Sequence, residues 1–124
     1  MRPSTVAVLP YDGTRETPFG SALIEHRTAQ TGFEELGVYY LTFPSGGHLE
    51  PWRLHYEETA YVIEGEASIT VMGDDGQTEV RGLVGDLIAI PRGANVRYGG
   101  TPGTRLLLSM SPITWRDRLL NEEI

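Results

Sequence analysis

The stretch Gly46-Gly47-His48-Leu49-Glu50-Pro51-Trp52-Arg53-Leu54-His55-Tyr56-Glu57-Glu58-Thr59-Ala60-Tyr61-Val62-Ile63-Glu64-Gly65-Glu66 decides the fold. Its paired glycines make a turn. Residues 52–56 then read as one strand and residues 59–63 as the next, β-branched and aromatic, halted at Glu64-Gly65-Glu66. Side chains alternate across a strand. Trp52, Leu54, Tyr56 and Glu58 are therefore expected on one face, with His55 and Glu57 on the other.

Working outward, the same rhythm continues. Residues 67–72 alternate and run into Gly73-Asp74-Asp75-Gly76, a strong hairpin signal. Residues 78–84 return, Gly85-Asp86 turns into residues 87–90, and Pro91-Arg92-Gly93 turns again. Residues 96–98 and 105–110 complete the downstream strands. Upstream, Gly37 opens a strand over 38–43, ended by Pro44-Ser45-Gly46-Gly47. Short strands are expected at 21–25 and at 5–9, the latter closed by Pro10, in an otherwise irregular lead-in. Strands at this spacing argue an all-β sandwich or barrel. The tail differs: Thr114-x-x-Asp117 reads as a capping box, and Ile113, Trp115, Leu119 and Leu120 fall on one helical face, so a short helix is expected over 113–122.

Composition narrows the class. The 124 residues are one domain's worth. The 15 Gly and 8 Pro suit many short strands. With no Cys, disulfides and thiolate chemistry are excluded. The formal net charge of −7 and the scattered basic residues argue against nucleic acid. No apolar run is long enough to span a membrane and none reads as a leader, so a cytoplasmic protein is expected.

The sequence resembles the cupin superfamily of RmlC-like jelly-roll barrels over about residues 36–112. The Glu58-to-Gly65 spacing and the run Tyr61-Val62-Ile63-Glu64-Gly65-Glu66 match its first signature. Gly85, Pro91 and Gly93 match the second. The resemblance implies one cupin domain over 1–124. The histidines of the first signature should stand at 52 and 54 and that of the second at 96, where this chain has Trp52, Leu54 and Val96. Of the usual four metal ligands only Glu58 remains, and one carboxylate does not hold a transition metal. No metal and no other cofactor is expected. An alternative is a non-standard metal site of His48, Tyr56 and Glu58. For His55 an exterior or interface position is expected.

A narrower resemblance rests on Pro51-Trp52-x-Leu54-x-Tyr56-x-Glu58, Gly85-Asp86, Ile90-Pro91-x-Gly93, Gly100-Thr101-Pro102 and Arg105. It is to the cupin domain of the ethanolamine-utilisation EutQ family. Full-length members are associated with acetate kinase activity and carry an N-terminal extension that this chain is expected to lack. What the resemblance implies here is the pocket type. It also implies a homodimer, because cupin barrels commonly pair through a sheet face and exchange N-terminal strands, for which residues 5–9 are the candidate.

By alternation, Trp52, Leu54, Tyr56 and Glu58 line one wall of an aromatic pocket and Val96 and Tyr98 a neighbouring one. Desolvation raises a buried carboxyl's pKa, which poises Glu58 as general acid or base, with Tyr56 and Tyr98 orienting a carbonyl. Trp52, Leu54, Val96 and Arg105 are the candidate substrate-binding residues. Arg105 is equally readable as a barrel salt bridge, and Glu58 as a structural group bonded to Tyr56 or to Arg53, Arg97 or Arg105. The chemistry expected is isomerase, lyase or cyclase type on a small oxygenated metabolite. The alternatives are a non-catalytic binding module and a metal-dependent oxygenase or lyase.

Overall fold

The computed structural model describes residues 6–11 and 13–117. Two antiparallel sheets face each other. The larger contains β1 (Thr17–Phe19), β2 (Ala22–His26), β3 (Gly37–Phe43), β6 (Glu57–Glu64), β9 (Leu87–Ile90) and β11 (Thr104–Ser111), in the order β1-β2-β3-β11-β6-β9. The smaller contains β4 (Gly47–His48), β7 (Glu66–Gly73), β8 (Gly76–Leu83) and β10 (Asn95–Gly100), in the order β4-β10-β7-β8, with β5 (Trp52–Arg53) added against β10. The chain repeatedly leaves one sheet for the other, which is the jelly-roll arrangement.

Alternation sets the interior. On β11 the even residues Thr104, Leu106, Leu108 and Met110 are buried while the odd ones are half-exposed. Register extends each into a row across the sheet. Leu106 lies between Leu41 and Val62, Leu108 between Tyr39 and Ala60, and Met110 between Gly37 and Glu58. The Leu41–Leu106–Val62 row is buried in one core with Phe43, Ala67 and Ile69. Burying a side chain of this size stabilises by about 1.5–3 kcal/mol. The Gly37–Met110–Glu58 end is where the barrel stays open.

Two expectations change, and the expected tail helix is present. Residues 6–9 form no strand: Val6 and Val8 are fully exposed, and the segment is tied down by Arg27 donating to the Leu9 carbonyl. Residue 5 lies outside the described residues. The strand over 52–56 stops at Arg53. Leu54 still exchanges hydrogen bonds with the 93–94 turn (Leu54 N to Ala94 O 2.9 Å, Gly93 N to Leu54 O 2.8 Å), but the chain bends at His55. At the C-terminus residues 115–117 are helical, and 118–122 lie outside the described residues. The Thr114 hydroxyl donates to the Glu34 carbonyl at 3.3 Å, and Ile113 N donates to Glu35 O at 2.7 Å. The tail is thereby fastened to the 34–35 loop.

Gly65 shows why the Glu-Gly-Glu turn is sequence-specific. Its φ is 78°, and an added Cβ would stand 2.7 Å from the Thr104 Cα. Gly85 also has positive φ, 94°, but open space around it. Left-handed backbone alone costs a non-glycine residue about 1–2 kcal/mol. Urea unfolding should show Gly85→Ala losing about that much and Gly65→Ala clearly more, because backbone must also move. Equal losses would mean that the Gly65 contact is relieved without strain.

Candidate functional site

The open end of the barrel holds a cavity of about 950 Å3. Both sheets and the C-terminal segment contribute to it. Ile24 and His26 come from β2, Tyr39 and Leu41 from β3, Glu58 from β6, Tyr98 from β10, and Leu108 and Met110 from β11. Trp52 and Tyr56 form one side, and Ile113 to Asp117 cross the mouth.

Glu58 is the buried charge-bearing group of this cavity, 3% exposed. Its Oε1 accepts a hydrogen bond of 2.6 Å from the Tyr98 hydroxyl. Its Oε2 is sealed from solvent and has no hydrogen-bond partner among the described residues. Removal from water penalises the carboxylate more than the single Tyr98 bond compensates. The Glu58 pKa is accordingly pushed up to about 7. The same burial, reinforced by Glu58, pushes Tyr98 far upward and Tyr56 up to about 12. Both tyrosines are hydrogen-bond donors at any physiological pH, and of these three groups Glu58 is the one that exchanges a proton near neutrality.

An aromatic group closes the mouth. The Trp52 indole N–H donates to the Tyr56 hydroxyl at 3.0 Å. Trp115 meets Trp52 edge-on at 5.5 Å and lies 5.9 Å from the Tyr56 ring, while His55 stacks on it at 5.2 Å. Elsewhere in the lining, His26 stacks on Tyr39 at 4.3 Å and shares a 3.0 Å hydrogen bond with the Thr28 hydroxyl. Burial lowers the His26 pKa, which favours the neutral ring. Ile113 fills the place of the side chain that Gly37 lacks: a Cβ there would come within 2.3 Å of it.

The residues singled out from sequence divide into three groups. Glu58, Tyr56, Tyr98 and Trp52 meet at the cavity. Leu54 and Val96 are almost completely buried, but they belong to the packed core and do not line the cavity. Arg105 sits on the opposite, outer face of the large sheet, because an odd position of β11 points outward. There it donates to the Tyr11 hydroxyl at 2.7 Å and lies over the Tyr11 and Tyr40 rings. No salt bridge ties it or Arg53 to Glu58: Arg53 donates to the Gly93 carbonyl at 2.6 Å. His55, expected on the exterior, instead stacks at the cavity mouth, because the chain has left strand geometry there. His26, Tyr39, Trp115 and Arg116 were not singled out. Of these only Trp115 had a signal, its place on the apolar face of the tail.

The donor set does not fit a metal. Leu54 and Val96 offer no ligand atom, and Glu58 has one oxygen already engaged by Tyr98. His48 lies against Gly99, outside the cavity lining. Among the described residues no three His, Cys, Asp or Glu side chains gather as a metal site would need.

A closed two-sheet jelly roll with its pocket at one end defines the cupin class. A family model described as "Ethanolamine utilisation protein EutQ" matches residues 40–117, and the chain belongs to that family. "Acetate kinase EutQ" of Escherichia coli (strain K12) is 33% identical over 66 residues, which are 53% of this chain and 27% of that protein. The match thus spans about a quarter of the curated relative. Among solved structures, the Clostridium difficile EutQ protein superposes with a TM-score of 0.65 at 23% identity, covering 84% of this chain and 81% of that one. KdgF from Halomonas sp. gives 0.70 at 15% identity, covering 86% and 94%. These structures share the fold. Among the described residues no helix is long and apolar enough to cross a membrane.

The raised Glu58 pKa carries a stability signature. The folded value, about 7, lies above the ordinary 4.5, so the native state binds the extra proton. The stabilisation this gives is complete below pH 4.5 and is lost as pH rises through 7. Relative to Glu58→Gln, which stays neutral, the wild type should lose roughly 3 kcal/mol of unfolding free energy across that window. Chemical denaturation at closely spaced pH values would show it. A constant difference would mean that Glu58 titrates normally.

Proposed function

We propose that this barrel binds a small oxygenated metabolite and acts on it by metal-independent acid–base chemistry through Glu58. One observation carries the reading: a buried carboxyl in an apolar cavity has one oxygen held by Tyr98 and the other without a protein partner. Protonated, Oε2 can donate to a carbonyl; ionised, it can take a proton from the carbon beside one. A pKa near the working pH allows both. Tyr98 fixes the carboxyl's orientation, and Tyr56, which accepts from Trp52, has its own proton free to polarise a substrate oxygen. Isomerisation, elimination and cyclisation all fit this arrangement.

The absence of any donor set besides Glu58 in the cupin ligand positions supports metal independence. A kinase reading, suggested by the name of the Escherichia coli relative, would require a seat for a phosphate chain. Among the described lining residues Arg116 is the one permanent cation, and Glu50 and Asp117 stand in the same rim. A non-catalytic binding module is the second reading, favoured by the largely apolar and aromatic lining of the cavity. A homodimer in the cytoplasm remains the expected setting. The outer-face row Tyr40–Leu107–Tyr61–Leu87, with Leu87 well exposed, is the apolar surface available for pairing.

Small carbonyl compounds incubated with the protein in D2O should include some that gain deuterium beside the carbonyl. The rate should rise as pH passes through about 7, where Glu58 ionises. Glu58→Gln should lower it by about a hundredfold or more while leaving the fold intact. Undiminished exchange in Glu58→Gln would overturn the proposal. Saturable binding with no exchange in any compound would select the binding-module reading.

A further inference from the structure

We infer that the ligand is a ring compound, aromatic or cyclic and uncharged in its buried part, with a hydroxyl or carbonyl that meets Glu58 Oε2 while its ring lies against Trp52, Tyr56 and Trp115. This rests on the cavity being the binding site, as proposed above, and deepens it to a substrate class.

Size is the first argument. A cavity of about 950 Å3 is at the upper end of what ligand pockets enclose, roughly 300–1,000 Å3. A two-carbon acid would leave nearly all of it to water, and most of its lining would stay unpaired with any apolar surface. Shape is the second. The three rings stand at steep angles, 67° between Trp52 and Trp115 and 50° between Tyr56 and Trp115. Flat walls set this way accept a flat guest edge-to-face, the geometry that ring quadrupoles favour. The floor beneath them is aliphatic, from Leu108 and Met110.

Polarity is the third. Two groups at the cavity lack a partner for a ligand oxygen to supply: Glu58 Oε2, buried here and reached once the carboxyl turns toward the cavity, and the Tyr56 proton left over after its oxygen accepts the Trp52 N–H. No charged partner for an ion stands beside them. The fixed charges lie at the exposed rim and are mixed in sign, so they select neither an anion nor a cation for the deep end.

Both of the chain's tryptophans line this cavity, so intrinsic fluorescence reads occupancy at the site itself. 4-Hydroxyacetophenone and cyclohexanone serve as uncharged ring probes, with acetate as the two-carbon comparison. The expected result is saturable quenching by at least one ring probe, with a Kd at least about tenfold below that of acetate. By calorimetry, Trp115→Ala and Ile24→Trp should each weaken that ring probe by about tenfold or more. The first removes a ring wall and the second fills the cavity from β2. Thermal unfolding confirms that each variant folds, and either folded variant suffices. Acetate binding as tightly as the rings, no saturation by either ring probe, or ring binding indifferent to a folded variant would overturn the inference. Glu58→Gln separates the two proposals. Ring binding that persists beside unchanged deuterium exchange sinks the acid–base reading and leaves this one standing. Lost exchange in Glu58→Gln, with no ring binding by the wild type, does the reverse.

Discussion

Each strand of a closed barrel sends every second side chain into one shared volume, and this constraint governs the rest of the molecule. The row Leu41–Leu106–Val62 fills its share. Two rows along, Gly37–Met110–Glu58 differs: Ile113 takes the place of the side chain that the glycine lacks, and a carboxyl occupies the position where its neighbours put aliphatic carbon. The cavity and the altered acidity of Glu58 are therefore two results of the same inward row. A carboxyl placed among apolar neighbours, with one tyrosine as its hydrogen-bond donor, has to become a weaker acid.

Much of this was legible in the sequence. From Gly37 onward the glycine and proline turns mark strands whose order and approximate limits agree with β3 and β6 to β11. The distance from Glu58 to Gly65 locates the carboxyl that the structure finds buried. Failures occurred where local pattern and tertiary pairing part company. Residues 5–9 have the composition of a strand, but residues 6–9 take no sheet partner among the described residues. Residues 52–56 read as continuous alternation, but only Trp52 and Arg53 pair with β10, and the bend at His55 carries that ring to the cavity mouth.

The cavity wall was half-legible for a related reason. Tyr56, Glu58 and Tyr98 follow from counting along strands near the signature motifs. His26 and Tyr39 reach the site because β2 and β3 extend the large sheet beyond β11, and Arg116 because the tail crosses back over the mouth. No spacing along the chain encodes that return. Arg105 is the instructive converse: the alternation that places Leu106 and Leu108 inside also puts Arg105 outside, and applying it to β11 would have removed that residue from the pocket.

The hollow end of the barrel also bears on what counts as the folded protein. Interiors ordinarily pack to crystal-like density, and this one leaves a cavity of about 950 Å3 at one end. Water can occupy the remainder, but it gives Leu108, Met110 and the rings little of the contact they would have with apolar matter. A compound that fits there would complete the core from outside the chain, binding the native state and not the unfolded one. Such a compound would be as much a structural element of this barrel as a strand is.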